Sequence, residues 1–166
     1  MIMVKAMDLR DSIEIERKAL GISLDCFSEV QYYAEKHILQ QIWNRFTKLG
    51  HQAEKYFWIN HHLIGDVIRY QPKKENDITK ILVGILPPQE IVWFIGQETK
   101  NEQPKYWLYE AKVNSVIDIL DNMYVFDFYI VNKKYHWLVT QEHHGILLAV
   151  GDPIAERLNE YKLNNL

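Results

Sequence analysis

The chain is poor in the residues that several functional classes require. It has one cysteine, Cys26, and only seven glycines in 166 residues. A single cysteine excludes an intramolecular disulfide and a zinc site made of cysteines, and it fits a reducing compartment. With so few glycines there is no glycine-rich phosphate loop, and no Gly-x-Ser-x-Gly run is present. Nucleotide binding through a P-loop and catalysis by an activated serine therefore find no support.

Long apolar runs and an excess of positive charge are also absent. No uninterrupted apolar segment approaches ~18 residues, so no membrane-spanning helix is predicted. Residues 1–8 lack the basic start and apolar run of a signal peptide. The net charge of -3 argues against a duplex nucleic-acid binder, which normally has a basic face. We therefore expect a cytoplasmic protein whose residues 1–166 form one domain.

The most regular part of the sequence is residues 123–153, which predict a strand meander. β-rich runs at 124–131, 135–140 and 146–150 are separated by polar turns at 132–134 and 141–145. Alternation places Phe126, Phe128 and Ile130 on one face of the first strand, with Asp127 and Tyr129 on the other. Because neither face is wholly polar, helices could cover one face, and the other must either be covered by the middle segment of the chain or meet a partner.

The other elements are predicted from helical spacing, caps and apolar runs. Asp8 caps a helix that ends at Gly21, and the capping-box pair Ser28 and Gln31 starts a long helix that ends at Gly50. Further helices are predicted at 78–86, at 113–122 and after Pro153. Strands are predicted at 67–70, 91–95 and 105–110, with a polar loop at 97–105 and an exposed loop at 72–77. The predicted fold is α+β: a mostly antiparallel sheet of about five strands, with N-terminal helices on one face and a C-terminal helix.

Three segments carry a resemblance to a known family. The run from Phe128 to Leu138, the pair His143-His144 and the segment 151–154 resemble a family of small uncharacterised bacterial proteins over residues 90–154. More loosely, leading helices before an antiparallel sheet rich in Trp and Tyr resemble the SUKH superfamily. That resemblance implies a binding module or an immunity protein that neutralises a toxin.

The concentration of Tyr, Trp and His in the meander predicts a binding surface, because aromatic residues are enriched at interface hot spots. We therefore predict a non-enzymatic protein-binding module, of the immunity type, without a cofactor. Its partner is expected to be another protein, rather than a membrane or a nucleic acid. The predicted surface consists of Tyr129, Lys133, Lys134, Tyr135, Trp137, His143 and His144.

Two alternatives remain open. In the first, His61, His143 and His144 are metal ligands and Asp127 is an acid in a metal-dependent hydrolase or nuclease. Against it, the sequence has no His-Glu-x-x-His helix, and neighbouring residues on a strand point to opposite faces. The other alternative is a small-ligand-binding protein with a pocket between the second helix and the sheet, lined by Trp43 and Trp107.

Overall fold

The computed structural model describes residues 7–74 and 77–166. Residues 1–6 lie outside the described residues. They make up most of the segment in which no signal peptide was predicted. Glu75 and Asn76, in the predicted loop at 72–77, also lie outside the described residues. Among the described residues, no helix is long and apolar enough to cross a membrane.

A seven-stranded sheet forms the centre of the molecule, and every neighbouring pair of strands is antiparallel. The strands are β1 (Phe27–Glu29), β2 (Ile68–Tyr70), β3 (Ile91–Lys100), β4 (Gln103–Lys112), β5 (Asp127–Asn132), β6 (Leu138–Gln141) and β7 (Leu147–Val150). Their order across the sheet is β1-β4-β3-β5-β6-β7-β2. The predicted meander is confirmed as three adjacent strands, β5, β6 and β7.

The helices confirm the α+β class. They are α1 (Leu9–Ala19), α2 (Tyr32–Phe46), α3 (Asp77–Ile85), α4 (Val113–Asn122) and α5 (Ile154–Asn164). Two 3₁₀ helices, Gly50–Lys55 and Ile59–His62, follow α2. The predicted cap of α1 is confirmed, because the Asp8 carboxylate accepts a hydrogen bond from the Asp11 backbone N–H at 2.8 Å.

The sheet separates two hydrophobic clusters, so the protein has three layers. Phe128 and Ile130 face a cluster that α1, α3, α4 and α5 cover. Tyr129 and Val131 face the other cluster, which α2 and the two 3₁₀ helices cover. The alternation predicted for β5 is thus confirmed, and the face for which a partner was an alternative is covered by the chain itself. The two N-terminal helices lie on opposite faces instead of sharing one.

The chain before α2 differs from the prediction. Ser28 does not cap a helix; it lies in β1, opposite Glu110 of β4. The helix begins at Tyr32, and its N-cap residue, Gln31, makes no capping bond with its side chain. Phe27, next to Ser28 in β1, is buried in the core, whereas Tyr32 at the start of α2 is 90% exposed. Pairing with β4 therefore overrides the local capping signal.

The hairpin of β3 and β4 is longer than predicted. Both strands have 10 residues, and the expected polar loop at 97–105 is mostly paired strand. The turn consists of Asn101 and Glu102, whose φ angles of 51° and 62° are those of a two-residue type I′ turn. These strand ends were not predicted because their side chains, such as that of Glu98, are polar. Backbone pairing continues whether or not the side chains are apolar.

Candidate functional site

The predicted binding surface does not form one continuous surface. Lys133, Lys134 and Tyr135 lie in the turn between β5 and β6, whereas His143 and His144 lie in the turn between β6 and β7. These turns are at opposite ends of β6. The structure therefore divides the predicted residues between two ends of the sheet.

The two remaining members of that predicted surface are not exposed. Tyr129 is fully buried in the cluster beneath α2, and Trp137 is 2% exposed in the cluster on the opposite face. The prediction that both rings face a partner is wrong, because the flanking helices and 3₁₀ segments cover both faces of the meander.

The lysine turn is engaged within the chain. The Lys133 ammonium lies 3.9 Å from the centroid of the Trp93 ring and also pairs with the Glu110 carboxylate. Tyr135 is half-buried against the core, with a φ angle of 56°. Lys134 is the other exposed lysine of this turn. A single lysine provides little positive charge for binding an anionic partner.

At the other end, the structure brings three predicted candidates together around a residue that was not among them. Glu142 is 2% exposed, although it lies in a surface turn. Its Oε2 atom lies 3.1 Å from His61 Nε2 and 3.1 Å from His144 Nδ1. Its Oε1 atom accepts a hydrogen bond from the backbone N–H of His144 at 2.9 Å. One buried carboxylate thus fixes imidazoles from two separate segments.

The hydrogen bonds determine the charge of this carboxylate. Burial alone would raise the pKa of Glu142, because a charged group is poorly solvated inside a protein. The bonds with the rings of His144 and His61 and with the His144 backbone outweigh burial, and the pKa of Glu142 is lowered. Glu142 is therefore a carboxylate anion at neutral pH.

Trp58 covers the imidazoles from one side. Its ring centroid lies 5.1 Å from that of His143 and 6.0 Å from that of His61, with interplanar angles of 27° in both pairs. The rings of His143 and His144 are 3.9 Å apart. Trp58 is nevertheless 52% exposed. We call Trp58, His61, His143 and His144 the aromatic–imidazole patch.

Buried polar groups fix the segment that carries Trp58 and His61. The backbone N–H of Asn60 donates to the Tyr129 hydroxyl at 3.1 Å, and the Asn60 side chain donates to Thr140 Oγ1 at 3.4 Å. Two further bonds run from the sheet to this segment: the Tyr106 hydroxyl donates to the Tyr56 carbonyl, and the Gln97 amide donates to the Phe57 carbonyl. This 3₁₀ segment is therefore held against the sheet by side chains rather than by strand pairing.

Asp127 lies beside the patch, on the same face of β5 as Tyr129. Burial raises the pKa of Asp127; the nearby carboxylate of Glu142 adds to this, while His143, Asn60 and His61 oppose it. The structure thus places the candidate acid Asp127 next to two of the candidate histidines, His61 and His143. Asn60 is 2% exposed, and its Oδ1 atom has no hydrogen-bond donor among residues 7–74 and 77–166.

Trp43 and Trp107, the predicted lining of a pocket between α2 and the sheet, lie on opposite faces of the sheet. Trp43 is 2% exposed and packs edge-on against Tyr106 and Tyr129, with ring centroids 5.6 Å and 5.2 Å apart. Trp107 packs against the cluster on the opposite face of the sheet. The two indoles cannot line one cavity. A groove of about 440 Å³ does lie between α2 and β4, with Tyr33, Leu39 and Tyr106 among its lining residues, and grooves of about 520 and 600 Å³ lie elsewhere. Trp58, His61 and His143 line none of these three grooves.

Sequence reasoning missed the residues that organise the patch. Trp58 and Asn60 lie in a segment without a clear hydrophobic period, and Glu142 gave no sign that it would be buried. The single available signal was the proximity of Glu142 to His143 and His144 in the sequence. The neighbouring His61 comes from a position 81 residues away, and no local pattern gives that contact.

We expect Tyr129→Phe to destabilise the protein by roughly 1–3 kcal/mol, because it leaves the buried N–H of Asn60 without its acceptor. Chemical denaturation measures the change in the free energy of unfolding. Hydrogen exchange should also become faster at Asn60 and His61. Tyr124→Phe is the matched control, since Tyr124 is 59% exposed and should shift stability by less than about 0.5 kcal/mol. Equal effects of the two variants would contradict this anchoring role.

Comparison with known proteins gives a family but no activity. A search of the curated proteins and a search of the solved structures each gave no match. The family match is broader than the resemblance seen in residues 90–154, and nothing in it supports the looser resemblance to the SUKH superfamily. Residues 5–162 match the model of a family of unknown function, DUF6756, and the chain belongs to this family.

Proposed function

We propose that this chain is a non-enzymatic protein-binding module whose contact surface is the aromatic–imidazole patch. The observation that carries the proposal is an exposed tryptophan held rigidly on a stack of imidazoles: Trp58 is 52% exposed, yet its ring stacks on His61 and His143. Tryptophan is the residue most enriched at interface hot spots, and aromatic rings lose little conformational entropy on binding.

The support below the patch strengthens the proposal. His61 and His144 bond to the buried Glu142, and the Trp58 segment is held by Tyr106, Gln97 and Tyr129. A surface whose rings are fixed before binding avoids part of the ordering cost of association. The patch also lines none of the three grooves described above, whereas small-molecule sites are usually concave. These features favour a macromolecular partner over a small substrate.

The test is a quantitative pull-down that compares variants rather than the wild type alone. We expect Trp58→Ala to weaken binding of a captured partner roughly 30-fold or more, which corresponds to a hot spot of about 2 kcal/mol. The dissociation constant is then measured with the purified partner. The melting temperature of the variant should stay close to that of the wild type, because Trp58 is exposed.

Tyr32→Ala provides a matched control. Tyr32 is an aromatic residue that is 90% exposed at the start of α2, away from the patch. It should retain the partner with wild-type affinity. A partner that Trp58→Ala binds as tightly as the wild type would refute the patch as the contact surface, and so would one that Tyr32→Ala loses.

A second candidate, the metal-dependent hydrolase or nuclease, is favoured by one observation. The described residues bring His61, Glu142, His143 and the acid Asp127 into one neighbourhood. Turnover of a phosphate ester or peptide that requires Asp127, with no partner protein captured, would favour this candidate over the binding module.

We further propose that the partner is a toxin, which this chain neutralises in the cytoplasm. The support for this role is the loose SUKH resemblance in the order of helices and sheet, together with the single cysteine, which fits a reducing compartment. The gene neighbourhood tests this role directly. A large secreted toxin encoded immediately upstream would support it, whereas a metabolic operon would argue against it.

A further inference from the structure

We infer that His61, Glu142 and His143 bind one divalent transition-metal ion of the zinc class at the centre of the aromatic–imidazole patch. The inference goes beyond protein binding and does not depend on a partner.

The positions of the donor atoms carry this inference. One ring nitrogen of each histidine and one carboxylate oxygen of Glu142 all lie within 4.8 Å of one another, and His61 Nε2 is 3.1 Å from Glu142 Oε2. Ligands bound to zinc at ~2.0–2.2 Å in a tetrahedral arrangement are about 3.3–3.6 Å apart. The His61–Glu142 pair is already near this spacing. The longest of these separations involves the donor nitrogen of His143. It can shorten by rotation of the His143 imidazole, which is exposed.

The kinds of donor atom select the kind of ion. Two imidazole nitrogens and one carboxylate oxygen suit zinc and its neighbours in the first transition row, whereas calcium and magnesium prefer oxygen ligands only. Three protein ligands also leave one tetrahedral position open. That position faces the surface, because His61 and His143 are both exposed.

The surroundings of Glu142 add a second observation. A buried carboxylate is costly unless positive charge or hydrogen-bond donors compensate it. In this structure Oε2 has ring nitrogens of His61 and His144 as its neighbours. A metal ion would take the place of the His61 contact, while His144 would keep its hydrogen bond to the carboxylate. Such an outer hydrogen bond is the usual way in which proteins orient a metal-binding carboxylate.

The segment that supplies His61 is fixed independently of any ion. Asn60, the preceding residue, bonds to Tyr129 and Thr140 in the sheet, so the position of His61 over Glu142 does not have to be created on binding. A preorganised set of ligands loses less entropy when the ion binds.

The experiment is a zinc titration of the full chain, purified with any histidine tag removed, by calorimetry in competition with a chelator. The wild type should bind one zinc ion. His143→Ala and Glu142→Gln should each bind it ~100-fold more weakly or worse, because loss of an outer-shell partner alone already costs 10–100-fold. His51→Ala is the matched control: it removes an exposed histidine outside the cluster and should leave the affinity unchanged.

Imidazole NMR signals give a readout that does not depend on affinity. Addition of one equivalent of zinc should shift the signals of His61 and His143 and leave those of His37 and His51 in place. If Glu142→Gln does not fold, as judged by circular dichroism, His61→Ala takes its place, because His61 is exposed. Absence of stoichiometric zinc binding by the wild type, or an unchanged affinity in His143→Ala, would overturn the inference.

The outcome is separable from that of the proposed function. Zinc binding is measured on the purified chain without a partner, so a failure to bind zinc would overturn the metal site and leave the proposed protein contact untested by that result, whereas loss of the partner in Trp58→Ala tests only the protein contact. A variant that loses zinc and keeps the partner would leave the binding module intact and show that the ion is not part of the interface.

Discussion

Trp137→Ala is expected to lower the free energy of unfolding by about 3–5 kcal/mol, the range for truncation of a large aromatic residue in a core. Trp137 is 2% exposed and packs in the cluster that α1, α3, α4 and α5 cover. Alanine would leave a cavity between the meander and these helices, and the close-packed surroundings would only partly collapse into it. The sequence predicted the opposite, a surface ring that could be removed without unfolding.

Urea denaturation followed by circular dichroism checks this expectation. Trp58→Ala is the matched control, because it removes the same side chain from a position that is 52% exposed. Surface substitutions usually change stability by less than about 0.5 kcal/mol; the stacking of Trp58 on two imidazoles allows at most about 1 kcal/mol here. A smaller loss for Trp137→Ala than for Trp58→Ala would show that the burial assigned to these two rings is reversed.

The meander was predictable because its pattern is local. Alternation along β5 assigns Phe128 and Tyr129 to opposite faces, and Gly145 supplies the positive φ angle of 77° that the turn before β7 requires. The caps of α1 and the bounds of α4 are also encoded within a few residues. These features do not depend on what packs against them.

The edge strand β1 was not predictable in this way, whereas β2 at the opposite edge had been predicted at 67–70. Ser28 and Gln31 form a good capping pattern, yet Ser28 pairs with Glu110, 82 positions further along the chain. β1 has only three residues, too few to show a period of its own. Tertiary pairing therefore decides this segment, and propensity does not.

The candidate site was likewise only partly predictable from local sequence. His143 and His144 stood out as a pair, and His61 as part of another, but the contact between His61 and Glu142 depends on how a segment without a regular period lies on the sheet. Asn60 and Trp58 give the patch its shape. Their roles follow from bonds to Tyr129 and from ring stacking that no sequence spacing reveals.

Gly151→Ala is expected to destabilise the protein by about 2–5 kcal/mol, through two additive effects. Gly151 has a φ angle of 87°, where a side chain costs ~1–2 kcal/mol. A Cβ atom there would also lie 2.0 Å from the His136 carbonyl oxygen and 2.8 Å from the Trp137 Cα atom. Both are backbone atoms, so the connection from β7 to α5 would have to move, at a further cost of ~1–3 kcal/mol.

Differential scanning calorimetry should show a melting temperature lower by roughly 4–20 °C for Gly151→Ala, since 1 kcal/mol corresponds to about 2–4 °C in a chain of this size. Gly145→Ala separates the two effects, because its φ angle is also positive but its Cβ would meet nothing within 4 Å; it should lose only the ~1–2 kcal/mol of backbone strain. Gly84→Ala, in the helix α3 and with equally open space, should instead gain up to about 1 kcal/mol. If Gly145→Ala and Gly151→Ala lose equal stability, the close approach of Gly151 to the backbone of His136 contributes nothing, and backbone conformation alone explains the glycine.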